Sequence, residues 1–132
     1  MTQVFPYVYP MRILLLIGTG GFIGSVARYL LGTWVQGRAG VLAFPTGTLA
    51  VNIIGCLVIG CLFGLGEKSS ISPEWRLFAI TGLCGGFTTF SAFSLETVNL
   101  LRSGQHVYAL TYVALSLLVC LLATYVGFIL FK

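Results

Sequence analysis

The chain has 132 residues, of which 58% are hydrophobic and 8% charged, with seven Lys+Arg against three Asp+Glu and a formal net charge of +4. Soluble domains average about 25% charged residues, so this composition excludes an ordinary soluble enzyme domain and a disordered tail, and the scattered cations form no nucleic-acid-binding patch. It is the composition of an integral membrane protein; at about 20 apolar residues per crossing, the length fits four spans and no soluble domain.

The prolines Pro6, Pro10, Pro45 and Pro73 all lie outside the long apolar runs, as expected of a residue that lacks an N–H and suits a helix start. Residues 1–10 are expected to be a loose end or a short interfacial segment. The first span is expected over 11–35. It carries Gly20 and Gly24, and Gly21 and Ser25, as small-xxx-small pairs that let helix backbones approach closely. Arg12 ahead of an apolar run and Ser25-Val26-Ala27 loosely suggest a cleaved leader, but the run is interrupted by Gly18, Gly20, Gly21 and Gly24, so a retained helix is expected. Gly18-Thr-Gly20-Gly-Phe-Ile-Gly24 imitates a dinucleotide loop, yet it lacks a preceding strand and an acidic residue about 20 positions on. The second span is expected over 45–66, with Thr48 and Asn52 four apart on one helix face and Gly60 and Gly64 as another close-packing pair.

The third span, 73–101, is unusual. Its centre reads Thr81-Gly-Leu-Cys-Gly85-Gly86-Phe87-Thr88-Thr89-Phe90-Ser91-Ala92-Phe93-Ser94. Glycine weakens a helix, and Thr and Ser re-bond freed backbone groups, so a break is expected near 85–89. Broken backbone at membrane depth must be buried in protein or line a cavity. There its carbonyls can hold a cation and the following helix start favours an anion. Phe90 and Phe93 share a face beyond the break. The fourth span is expected over 107–131, with Tyr112, Ser116 and Cys120 as a stripe of period four. Intramembrane polar residues are functional candidates; their bland alternative is hydrogen bonding between helices. Cys56, Cys61, Cys84 and Cys120 form no C-x-x-C pair and read as small apolar filler, and His106 as a solvated loop residue. No nucleophile–base–acid set is present, so the chain is not expected to be an enzyme.

The linkers 36–44, 67–72 and 102–106 are short, so neighbouring spans should be antiparallel, with Trp34 and Trp75 at headgroup level. Arg12, Lys68, Arg76 and Lys132 then fall on one side, and Arg38 and Arg102 on the other, with Arg28 in or near the first span. Such a balance suits insertion in both directions. An antiparallel homodimer would supply the interior that one small bundle lacks; a fixed topology set by the modest excess remains open at this point.

Three stretches carry a resemblance. Gly20-Gly-Phe-Ile-Gly-Ser-Val-Ala-Arg28-Tyr29, Gly47-Thr48-Leu-Ala-Val-Asn52-Ile-Ile-Gly55 and Gly82-Leu-Cys-Gly-Gly86-Phe-Thr-Thr-Phe90-Ser-Ala-Phe93-Ser-Leu-Glu96 together resemble the Fluc/CrcB family of fluoride channels. The resemblance implies an all-α membrane protein of four helices, the third broken, forming an antiparallel dual-topology homodimer with two pores. It implies a structural Na+ at the dimer centre, held by backbone carbonyls that match Gly85 and Thr88. Phe90 and Phe93 match the pore phenylalanines, Asn52 the pore asparagine, Tyr112 and Ser116 the polar track, and Arg28 a basic residue near a pore entrance. Glu96 matches the acidic residue that closes the motif. Cys120 takes a track position where family members can carry a hydroxyl, and a thiol is a weaker donor.

Fluoride is small and strongly hydrated, so stripping its water is costly unless donors replace it. Thr48, Asn52, Thr88, Thr89, Ser91, Tyr112 and Ser116 can donate, and ring edges of Phe90 and Phe93 present the positive part of the quadrupole. The function expected is passive fluoride export from the cytoplasm across a bacterial inner membrane. A small multidrug-type exporter is the alternative, but its proton coupling needs an embedded carboxylate in the first span, which has none; Glu96 near the end of the third span is the one candidate. A non-transporting assembly protein would explain the glycines but not the Thr/Ser/Phe cluster.

Overall fold

The computed structural model describes residues 10–40, 44–68 and 71–132; most of the N-terminal segment read as a loose end lies outside them. The described residues are helical apart from short connections: α1 (Met11–Arg38), α2 (Thr46–Lys68), α3 (Pro73–Arg76), a π-helical stretch (Leu77–Cys84), α4 (Gly85–Phe87), α5 (Phe90–Arg102) and α6 (His106–Phe131). Four units are long and apolar enough to cross a membrane: α1, α2, the bent unit Pro73–Arg102, and α6.

The ends follow from local chemistry. Pro10 precedes α1, which runs past the expected boundary at Val35, through Gly37, to Arg38, and stops short of Gly40 at φ +70°. Gln36 caps α2: its side-chain oxygen accepts from the Gly47 N–H (3.1 Å) and the Thr46 hydroxyl (3.2 Å), two donors at a helix start that would otherwise be orphaned. Ser72 caps α3, its hydroxyl accepting from the Trp75 N–H. Gly104, at φ +74°, makes the turn into α6, and His106 is the first residue of that helix rather than a loop residue.

Close approach of helices rests on glycine. A methyl at Gly20 would lie 2.5 Å from the Phe78 carbonyl oxygen and 2.9 Å from the Leu83 nitrogen, and one at Gly24 2.8 Å from the Phe87 nitrogen. These contacts advance together along both chains, so α1 and the first half of the bent unit run parallel. The π-helical turns occur along this crossing, where Gly82 would carry its methyl 3.1 Å from the Gly20 Cα. The second pairing is α2 with α6. Gly60 abuts the Thr124 carbonyl and Gly64 the Phe128 carbonyl, while Gly127 abuts the Leu57 carbonyl from the other side. These helices are therefore also parallel and in constant register. Extending the register back by single turns pairs Cys56 with Cys120, Asn52 with Ser116 and Thr48 with Tyr112. The alternation of direction is the one short linkers require.

The buried core is small, as befits a chain whose apolar sides face lipid. Leu100, Ala109 and Tyr112 form it, with Phe44, Leu49 and Phe93 packed around. Large side chains such as Phe22, Leu118, Leu122 and Leu130 are exposed on the outer surface.

Candidate functional site

Two consecutive residues interrupt the third span. Thr88 (φ −86°, ψ 155°) and Thr89 (φ −149°, ψ 113°) are extended, between α4 and α5. The break expected over 85–89 is thus centred on its two threonines, and the glycines before it stay helical. Three substitutions of partner stabilise it. The Thr88 hydroxyl donates to the Cys84 carbonyl (2.9 Å). The Thr89 hydroxyl accepts from the Ala92 N–H and caps α5. Asn52 of α2 does most: its side-chain oxygen accepts from the Thr89 N–H (2.8 Å) and its amide donates to the Thr89 carbonyl (3.1 Å). In an unbroken helix that N–H would bond to the Gly85 carbonyl. Asn52 therefore replaces a strand-like neighbour for one residue, and Gly85 keeps a carbonyl without its helical donor.

On the α1 side, Arg28 donates from Nε to the Gly86 carbonyl (3.1 Å), with the Ser25 hydroxyl at 3.5 Å from the same oxygen. The cation thereby lies beside the break, its terminal nitrogens free of any described bond.

Glu96 of α5 is the second junction. The Thr48 hydroxyl donates to one carboxyl oxygen (2.7 Å) and the Tyr112 hydroxyl to the other (2.6 Å). One side chain thus ties α2, α5 and α6 together. Tyr112 is fully buried, and its ring stacks at a tilt on Phe93 (centroids 5.2 Å), which in turn meets Phe90 (5.3 Å). Phe90 projects outward, 75% exposed. Ser91 is exposed and shares a hydrogen bond with the Thr89 hydroxyl (3.2 Å).

Two cavities flank the Asn52–Thr89 bridge, each of about 250 Å³. One is lined by Asn52, Cys56, Thr88, Thr89, Phe90, Phe93, Ser116, Leu117, Cys120 and Leu121. The Ser116 hydroxyl is buried and has no hydrogen-bond partner among the described residues. The other is lined by Arg28, Tyr29, Gly32, Thr33, Gln36, Gly47, Thr48, Val51, Thr89, Ala92 and Glu96. Of the residues singled out in the sequence, Asn52, Cys56, Thr88, Thr89, Phe90, Phe93, Ser116 and Cys120 meet in the first cavity, and Arg28, Thr48, Thr89 and Glu96 in the second. Tyr112 and Ser91 line neither. Gly85 lies exposed ahead of the break.

Several hydroxyls expected to be free are engaged: Thr48 and Tyr112 on Glu96, and Thr88 on its own helix. Sequence reasoning left Glu96 without a partner and overlooked Gln36. The signal for Glu96 was the matching period-four stripes of the second and fourth spans, which point at each other once the helices are known to be parallel. Cys56 was set aside as filler, yet it extends the Thr48–Asn52 stripe by one more turn.

Comparison with known proteins follows the same lines. The model of the family described as "CrcB-like protein, Camphor Resistance (CrcB)" matches residues 15–128. A "Fluoride-specific ion channel FluC" of Rhizobium meliloti (strain 1021) is 48% identical over 123 residues, covering 92% of this chain and 98% of that protein. One of the same description from Methylobacillus flagellatus is 50% identical over 119 residues (89% and 93%), and one from the archaeon Methanococcus aeolicus 43% over 117 residues (89% and 93%). With four apolar helices and a match along nearly its whole length, this multi-pass membrane protein belongs to the CrcB family.

Proposed function

We propose that the protein is a fluoride-selective channel, not an enzyme, and that it conducts passively. The observation that carries this reading is the broken third span, flanked by a cavity of neutral donors and phenylalanines, in a chain about half identical to proteins described as fluoride-specific channels. Arg28 draws the anion toward the cavity it shares with Thr48 and Glu96. Past the Asn52–Thr89 bridge, the unpartnered Ser116 hydroxyl and the second N–H of the Asn52 amide replace water, and ring edges of Phe90 and Phe93 guide the ion. No lysine or arginine lines this inner cavity, so binding stays weak enough for release, as conduction requires.

The active form in this reading is an antiparallel homodimer with two pores, lodged in a bacterial inner membrane. The cation bias between the two sides is weak, Arg12, Lys68, Arg76 and Lys132 against Arg38 and Arg102, and supports two-way insertion. The exposed Phe90, at the mouth of the inner cavity, gives a second copy a surface with which to complete the wall. A structural Na+ fits the residues present. Gly85 has lost its helical donor, and the Thr88 carbonyl leaves the helix at ψ 155°; such oxygens suit a hard cation. The Gly85 and Thr88 carbonyls of two copies would hold it, and it would supply a fixed positive charge joining the two breaks.

The test is a fluoride electrode on proteoliposomes loaded with fluoride, with a K+ ionophore to clear the charge. Fluoride release that exceeds chloride release many-fold is expected. Equal permeability, or release that requires a proton gradient and organic cations, would sink the channel reading and favour the exporter.

A further inference from the structure

The polar stripe that runs down the α2–α6 seam ends on two sulfurs. Cys56 and Cys120 face each other across the seam in the register that pairs Gly60 with Thr124 one turn further on. Both line the inner cavity, and neither is fully buried. The Ser116 hydroxyl, one turn before Cys120, is itself buried (9% exposed), lines the same cavity and has no partner. Two facing thiols and an idle oxygen, bounded beyond by a glycine crossing too tight for a methyl, make a ligand-sized gap rather than packed apolar filler.

We propose that Cys56 and Cys120 form a two-sulfur binding site for a soft monovalent cation, silver(I) or copper(I), where the inner cavity meets the Gly60–Thr124 crossing. Thiolate sulfur selects soft metals of this kind. Among the described residues no group of three or more His, Cys, Asp or Glu side chains gathers around a metal-sized space, which excludes the tetrahedral site zinc requires and leaves two-coordinate binding. Charge balance favours a monovalent ion. The cation replaces one thiol proton, which leaves to water. One sulfur then binds as thiolate and the other as neutral thiol, with Ser116 close by, and the site keeps zero net charge inside the membrane. A divalent ion would reach neutrality only by displacing both thiol protons, whereas a monovalent ion needs to displace one at a depth where charge is costly. A metal lodged here occupies the cavity that the proposed function assigns to fluoride, so silver should also block flux; that second effect rests on the channel reading, while binding does not.

The probe is silver nitrate in chloride-free buffer, added to the full-length protein in detergent in a Cys61→Ser/Cys84→Ser background. Metal retained after desalting against a small competing thiol is measured by mass spectrometry. About one silver per chain is expected, with affinity falling at least 100-fold on adding either Cys56→Ser or Cys120→Ser. An undiminished affinity in both single-sulfur variants, or no silver on the parent, overturns the site. Cys56→Ala and Cys120→Ala repeat the comparison if a serine variant fails to elute as the parent does. In proteoliposomes, silver should abolish fluoride efflux from the parent and leave each single-sulfur variant at its own silver-free rate, whatever that rate is. Binding without block overturns the placement of the site in the pathway. Absence of efflux before silver is added counts against the channel reading, whereas the binding assay still decides the site.

Discussion

Asn52 shows how one side chain can stand in for a missing turn of helix. Its amide meets both backbone groups of Thr89, and unmatched buried groups cost about 1–3 kcal/mol each. Asn52→Ala should therefore lower the unfolding temperature clearly and cut fluoride efflux at least tenfold, checked by thermal denaturation in detergent and by electrode; unchanged values in both would show that the break stands without it. Glu96 is the comparable point for the seam. Thr48→Val and Tyr112→Phe each remove one hydroxyl from the same carboxyl group, and residues sharing a partner couple by about 0.5–3 kcal/mol. A double-mutant cycle on unfolding should be non-additive by that order; strict additivity would mean that the two hydroxyls act independently. At this scale the sequence was partly legible. Residue types and spacing singled out Asn52, Thr48 and Tyr112 as polar groups facing inward. They could not show that two of these spend their hydroxyls on Glu96, because the three lie on different helices and their meeting depends on the crossing geometry.

Helices are assembled here by subtraction of side chains. Without water to drive apolar surfaces together, membrane helices associate through close packing and interhelical hydrogen bonds, and α1 reaches the π-helical stretch only because Gly20, Gly24 and Gly82 present no Cβ. Glycines in one helix need not be equivalent. Gly18 has nothing within 4 Å of an added methyl, whereas Gly24 would collide with backbone that cannot yield. Gly18→Ala should leave folding intact or raise the unfolding temperature slightly, alanine being favoured over glycine by about 1 kcal/mol in a helix. Gly24→Ala should yield little folded protein by size-exclusion profile. Equal behaviour of the two variants would contradict the crossing described. Small-xxx-small spacing disclosed that Gly20 and Gly24 pack against something, and Pro10, Pro45 and Pro73 marked three helix starts. The π-helical turns of Leu77–Cys84 left no such mark in the sequence; they lie where Gly82 packs against Gly20 of α1.

The whole molecule is too small to enclose a pathway by itself, with both cavities open on its flanks. In the proposed dimer the carbonyls of Gly85 and Thr88 from two copies would hold the Na+, and a ligand that binds only the assembled form stabilises it by mass action. Raising Na+ in place of a large organic cation should increase the unfolding temperature and the dimer fraction, read by calorimetry and native mass spectrometry. Caesium at the same concentration should do neither, and an equal effect of both ions would point to general salt screening. Membrane class, span number and the position of the break were legible in composition, length and the Gly-Gly-Phe-Thr-Thr run. The proposed assembly rests on resemblance and on the weak cation bias between the two sides, since no pattern within one chain encodes which face meets a second copy.

The dependence of the break on Asn52 also bears on biogenesis. The residues that interrupt the third span do not complete their own hydrogen bonding; the replacement partner is supplied by α2, which leaves the ribosome earlier. By the time residues 73–102 enter the bilayer, that amide is already in place to receive Thr89. An excised peptide of the same residues would have no such receiver for the Thr89 N–H and carbonyl. The interruption thus depends on a partner that is made before it.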